Sequence, residues 1–458
     1  MDYNLGMIRK ILKTTFVLFI CFFSVNAFAT ERVSISSLNI ESNYYSYRSS
    51  VSGDGRYVAF QSLATNLVTG DTNGVSDIFV RDTQTDTTER ISISSMGAQG
   101  NADSEYPSIS ADGRYVAFYS NASNLVTGDT NGVSDIFIHD RVLDTTTRIS
   151  ITSEGLQSNG HSINPSISRD GRYIAFESTS SNFYSSDNNG ISDVFVYDRG
   201  QNKVKIVSIN SNLNVGNAPS QFPSISADGR HVSFTSFANN LVTGDTNNQP
   251  DIFVFNFITN SLKRISVSDN GTQANSSSFL SSISETGRYV AFDSNATNLV
   301  TGDTNNQMDI FVIDNNTNTV SRILGSGSVE SNGSLYFPSI SGDGKYVSFT
   351  SGATNLIGGQ DDPTSDVYVY SFYTNNIKRI SESYIQGDIA DNNSGMSRIS
   401  LDGGTVTFES AASNLVLGDT NSVTDIFTHN IKKLVSAPEV KNIKNTDQNT
   451  LKDLKSIK

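Results

Sequence analysis

The sequence predicts an all-β fold, a seven-bladed β-propeller of four-stranded antiparallel blades, and three observations lead to it. First, one segment recurs seven times: "DGRYVAF" at Asp54 and Asp112, "DGRYIAF" at Asp170, "DGRHVSF" at Asp228, "TGRYVAF" at Thr286, "DGKYVSF" at Asp343 and "DGGTVTF" at Asp402. Its glycines, from Gly55 to Gly403, stand 57 to 59 residues apart, and such a fixed long period is the signature of a repeat architecture. Second, Val, Ile, Phe, Tyr, Ser and Thr dominate the apolar runs and none sustains a 3.6-residue period, which argues against a helical repeat. Third, "ERVSIS" from Glu31 precedes the first complete unit yet matches "ERISIS" at Glu89 and "TRISIT" at Thr147, so it reads as a last strand without its blade.

The second unit shows the elements in order. "PSIS" is a short alternating run, Asp112-Gly113 a tight turn, "RYVAFYS" a strand, "DIFIHD" a third strand and "TTRISIT" a fourth. One small sheet cannot bury both of its faces, whereas seven packed radially do so and leave only short edges. A linear β-solenoid is the alternative, but its rungs are shorter and it needs end caps that the sequence does not offer. The last unit reaches "DIFTHN" at Asp425 and then shortens, so the strand from Glu31 is expected to complete the seventh sheet. "KKLVS" from Lys432 is the competing partner, and it arrives too early relative to the other units.

Residues 1–29 read as a signal peptide: a basic start (Arg9, Lys10, Lys13), an apolar run from Phe16 to Val25, and Ala27 and Ala29 spaced for cleavage after Ala29. The run is well short of the roughly 20 residues a spanning helix needs. No membrane span is therefore expected after cleavage, and the domain, residues 30–436, is expected to be periplasmic or secreted. Residues 437–458 are polar, Lys-rich and aperiodic, as a disordered tail would be. The one cysteine, Cys21, falls in the leader, so no disulfide is expected. The chain carries a net charge of −14, and without residues 1–29 it has 29 Lys+Arg against 45 Asp+Glu. No basic stripe offers phosphates a track, which argues against a nucleic-acid partner.

The turn-strand "SADGRYVAF" followed by "DIFIHD" resembles the TolB-type, WD-like propeller repeat of exported bacterial proteins, over residues 31 to about 436. That resemblance implies the propeller fold. It leaves function open, because the repeat serves a translocation-complex subunit, sensor domains, and peptidase and lyase chemistry. TolB itself looks like a six-bladed propeller behind an α/β domain, and this chain departs from it with seven units.

"TNLVTGDTNGVSDIFV" from Thr65 returns nearly unchanged from Ser123, and its oxygens could serve Ca²⁺, a hard cation. The candidate ligands are Asp71, Asn73 and Asp77; Asp129, Asn131 and Asp135; Asp187, Asn189 and Asp193; Asp245, Asn247 and Asp251; Asp303, Asn305 and Asp309; and Asp419, Asn421 and Asp425. The sixth unit, at Gln360, Asp361, Asp362 and Asp366, loses the first Asp. The competing reading is structural, since Asp-Thr-Asn-Gly forms turns on its own and the strand-initial Asp can bridge to a neighbouring loop.

Catalytic signatures are absent from the sequence. His139, His161, His231 and His429 have no metal spacing, and no Gly-x-Ser-x-Gly elbow precedes a helix. A polysaccharide- or peptide-processing hydrolase or lyase with an acid pair in the central channel is the alternative to a noncatalytic scaffold. In a propeller the loops before the first strand and between the second and third share one face, and here they are the long ones. The innermost strands bring Arg48, Tyr106, Asn164, Phe222, Leu280, Phe337 and Met396 to one equivalent position. Tyr106, Phe222 and Phe337 are the candidate anchors for a protein or peptide partner.

Overall fold

The computed structural model describes residues 30–358, 364–385 and 388–431. The signal peptide, the segment from Lys432, the tail, and Gln360, Asp361 and Asp362 lie outside them. All elements among the described residues are strands, arranged as seven four-stranded antiparallel sheets. Blade 1 comprises Ser46–Val51, Tyr57–Ser62, Asp77–Asp82 and Thr87–Arg90, in spatial order from the axis outward, and the other blades repeat it. Blade 7 has Ser394–Ile399, Thr405–Ser410 and Asp425–Asn430, and its fourth strand is Thr30–Arg32. Thr30 pairs with His429, Glu31 with Thr428 and Arg32 with Phe427, so the chain ends close the ring as the sequence predicts.

The second and third strands are apolar on both faces because each blade is sandwiched between two others. Ala59, Ile78 and Val80 of blade 1 pack on Ile109, Val116 and Phe118 of blade 2, and the pattern repeats around the ring. Within each blade one aromatic from the second strand stacks on one from the third, as Phe118 does on Phe137 with centroids 5.9 Å apart. The turn glycine answers a close approach as well as a turn. Gly113 has φ +71°, and a Cβ there would run into the ring of Tyr57 from the preceding blade. No helix among the described residues is long and apolar enough to cross a membrane.

Two rings of hydrogen bonds organise the axis. Residues at the first-to-second turns form a closed backbone collar: Gly53 donates to Ala111, Ala111 to Arg169, and Arg169 to Ala227. The circuit continues from Asp228 to Glu285, Glu285 to Gly342, Gly342 to Leu401, and Asp402 back to Gly53, all at 2.8–3.1 Å. One step further in, a serine hydroxyl on six of the seven innermost strands accepts the backbone N–H of an isoleucine in the next blade. Ser50 serves Ile109, Ser108 serves Ile167, Ser166 serves Ile225, Ser224 serves Ile283, Ser282 serves Ile340 and Ser339 serves Ile399. The seventh member of the series is Arg398.

Candidate functional site: the central channel

Each innermost strand carries a bulge, where its register with the second strand slips, as between Tyr47 and Ser50. The bulged residues are Arg48, Tyr106, Asn164, Phe222, Leu280, Phe337 and Met396, and all seven are left-handed, with φ between +41° and +54° or, for Phe337, +57°. Six of the seven are not asparagine, and a side chain in that region costs on the order of 1–2 kcal/mol. The bulge turns these residues inward, where they line one cavity of about 560 Å³. The sequence places them together correctly, but nothing in it signals the left-handed backbone, because Tyr, Phe, Leu and Met are uncommon there.

Four of the strained amides are held by polar side chains from the preceding blade. Glu409 accepts from Arg48 N, Gln61 from Tyr106 N, Glu177 from Phe222 N, and Asp293 from Phe337 N, at 2.6–3.3 Å. Burial pushes the Glu177 and Asp293 carboxyls up to about 7 and raises that of Glu409. Sequence reasoning missed these acids, since their purpose lies in a contact between blades. Each buried acid on the channel is thereby engaged by a backbone amide.

The rest of the wall is mixed. The Arg48 guanidinium lies over the Tyr106 ring, 4.6 Å from its centroid, and Tyr106 stacks on Tyr119 at 5.7 Å. Phe222 and Leu280, from blades 4 and 5, face this side across the axis. Around the rim on the long-loop face, Tyr44, Tyr45, Phe237 and Tyr336 are exposed.

The acidic loops are organised differently from the channel. In blade 1, Asn73 donates to Asp77 and to the carbonyl of Gly100, and Ser92 donates to Asp77. Arg90 sits between Asp71 and Asp77 at 3.2 and 3.4 Å. The same arrangement recurs at Arg148 with Asp129 and Asp135, Arg264 with Asp245 and Asp251, and Arg322 with Asp303 and Asp309. In blade 7 the partner strand supplies Arg32 to Asp419 and Asp425, with Glu41 on the same guanidinium. Asn131, Asn305 and Asn421 bond their strand-initial Asp as Asn73 does, while Asn247 instead ties to the Ala274 carbonyl.

An arginine thus supplies the positive charge that a calcium ion would bring to these five loops. Blade 3 differs, because Ile206 stands where the others have arginine. There Asp193 is held by Ser208 and Asn189, and burial pushes its carboxyl up to about 6. No group of three or more metal-type side chains occurs among the described residues. We expect a chelator, or millimolar Ca²⁺, to leave the melting temperature unchanged, since a ligand of the folded state would otherwise raise it by mass action. A fall in Tm on adding EDTA would return the loops to calcium. The sequence signal for these arginines was present in the recurring "ERIS", "TRIS" and "KRIS", and only the cross-strand geometry reveals its partners.

No family model matches the chain, and no characterised protein matches it by sequence. Among solved structures, an oligogalacturonate lyase in complex with manganese is 11% identical with a TM-score of 0.52, over 88% of this chain and 92% of that one. The propeller domain of the Trilobed protease from Pyrococcus furiosus is 12% identical with a TM-score of 0.50, over 84% and 95%. TolB from Acinetobacter baumannii is 17% identical with a TM-score of 0.38, and the match spans 66% of this chain and 58% of that one. At 11–12% identity, the likeness to the lyase and to the protease domain shows the propeller fold alone.

Proposed function

We propose that this chain is an exported, noncatalytic propeller scaffold, periplasmic or secreted, that binds a protein or peptide partner through its long-loop face. One observation carries the reading: seven strained bulge residues, three of them Tyr106, Phe222 and Phe337, turn their side chains into a single cavity. Backbone strain persists where surrounding structure enforces it and clusters at binding sites. Half-exposed aromatics in a concave setting are also the residues that dominate binding energy. The noncatalytic part of the proposal is supported by the channel acids, whose carboxylates hold backbone amides. The exposed aromatics Tyr44, Tyr45, Phe237 and Tyr336 extend the same face outward. The surrounding acidic loops favour a basic or neutral partner and make association salt-sensitive.

The test is capture from envelope extract by the purified protein and by a variant with Tyr106→Ser, Phe222→Ser and Phe337→Ser. The variant should keep its β-sheet circular dichroism and lose a saturable partner that the parent retains. Equal capture by a folded triple variant would refute the ring as the binding site.

A further inference from the structure

Within the channel the seven units are not equivalent, and the exceptions lie side by side. Arg398 occupies the position where the other six units place the serine that ties one blade to the next. By that replacement blade 7 forgoes the hydroxyl that would have served Val51, and it gains a guanidinium lining the cavity. Arg48, from the adjacent blade 1, is the one cation among the seven bulge residues. Architecture requires neither.

The two guanidiniums share one nearby acid, Glu409, and Arg48 also lies over the Tyr106 ring. Among the described residues no carboxylate lies within ion-pairing distance of either. Arg48 points a side-chain N–H at the Met396 sulfur, 3.3 Å away, and Arg398 donates to the carbonyl of Ser397 at 3.0 Å. Glu409 is the nearest acid, and its Oε1 is engaged by the Arg48 amide at 2.6 Å. The Arg398 side chain is exposed to the solvent of the channel, and its enclosure there together with the neighbouring Arg48 lowers its pKa, so two like charges face the cavity where an anion would meet both.

The far end of the channel lies at the first-to-second turns. The backbone collar draws the turns together there, and an Arg169–Glu285 ion pair at 2.5 Å reaches over the intervening blade. A chain end entering from the long-loop face meets Arg48 and Arg398 before it reaches the collar. An amino terminus would meet two cations, whereas a carboxylate would meet two sets of N–H donors. The wall is apolar at Phe222 and Leu280 across the axis and at Phe337 on blade 6, beside blade 7.

We propose that Arg48 and Arg398 receive the C-terminal carboxylate of a peptide whose last side chain lies against Phe222, Leu280 and Phe337. This rests on the partner-binding reading above and names the part of the partner that the channel takes. The probes are acetylated tetrapeptides ending in Phe or Leu, as free acids and as C-terminal amides, and octanoate as a free carboxylate, each titrated calorimetrically into the purified protein.

The free acids should bind at least ten-fold more tightly than the amides. Arg398→Ser, which restores the residue of the other six units, should fold with an undiminished melting temperature and erase that difference. Equal binding of acid and amide would overturn the proposal while leaving the channel as a peptide site. Binding of octanoate without either peptide would overturn the peptide as the occupant. If no probe binds while partner capture still depends on Tyr106, Phe222 and Phe337, the carboxylate proposal fails and the partner-binding reading stands. Capture indifferent to those three residues defeats the reading itself.

Discussion

Deleting Glu31 to Ser37 is expected to destabilise the whole domain by on the order of 5 kcal/mol or more. The deletion removes most of the strand that completes blade 7, and with it Val33, which is 1% exposed and packs beside Ile426. Burying one such side chain contributes roughly 1.5–3 kcal/mol. It also removes Arg32, leaving Asp419 and Asp425 facing each other, and Ser34, whose hydroxyl donates to Asp425. Breaking a buried pair from one side costs about 3–5 kcal/mol because a charge is left uncompensated. The opened third strand, Asp425–Asn430, would present a bare edge. Thermal unfolding reads the effect as a large drop in Tm, and an unchanged Tm would contradict closure by this strand.

Asp293→Asn should stabilise the protein at pH 8 by roughly 3–4 kcal/mol, an effect that fades by about pH 4. Asp293 is 1% exposed, one of its oxygens accepts from Phe337 N, and the other is buried with no hydrogen-bond partner. Burial pushes its carboxyl up to about 7 against roughly 3.9 in an unfolded chain. The folded state therefore binds the proton more tightly. Stability falls as pH rises from about 4 through 7, and above 7 the full cost of the buried charge is present. Asparagine keeps an acceptor for the bulge amide and never ionises. Denaturant melts at pH 4 and pH 8 check this: the variant's advantage should be several-fold larger at the higher pH. Equal stability at pH 8 would show that the carboxylate is solvated in a way this geometry does not allow.

What the sequence made legible follows from what repeats. The seven "DGRYVAF"-type segments, the "DIFV" strands and the orphan "ERVSIS" are local patterns whose period and ends leave one closed solution, and the pairing of Thr30–Arg32 with Asp425–Asn430 agrees with it. The grouping of Arg48, Tyr106, Asn164, Phe222, Leu280, Phe337 and Met396 was legible for the same reason, because equal positions in a ring must meet at the axis. Less visible were contacts that cross between strands or blades. Arg90 stands 13 residues from Asp77 along the chain, yet the third-to-fourth strand pairing sets it between two carboxylates. Glu177 and Asp293 cap amides 45 and 44 residues away in the following blade. Arg398 stands in "SRIS" where the other six units read "PSIS", "SSIS" or, in the first, "SSVS", but its meaning depends on knowing that the serine ties blades together.

These comparisons divide the chain into residues that the units share and residues in which they differ. The shared ones, including the turn Asp-Gly, the loop Asp pairs with their arginines and the axial serines, are occupied in holding blades together. The differing ones converge on the channel and its long-loop rim. Site-specific photocrosslinking tests that division most directly, with a benzophenone side chain placed at Phe222 on the channel wall or at Val142, exposed on the opposite face, before partner capture. The account predicts a crosslinked partner from position 222 and none from 142; crosslinking from 142 alone would contradict it.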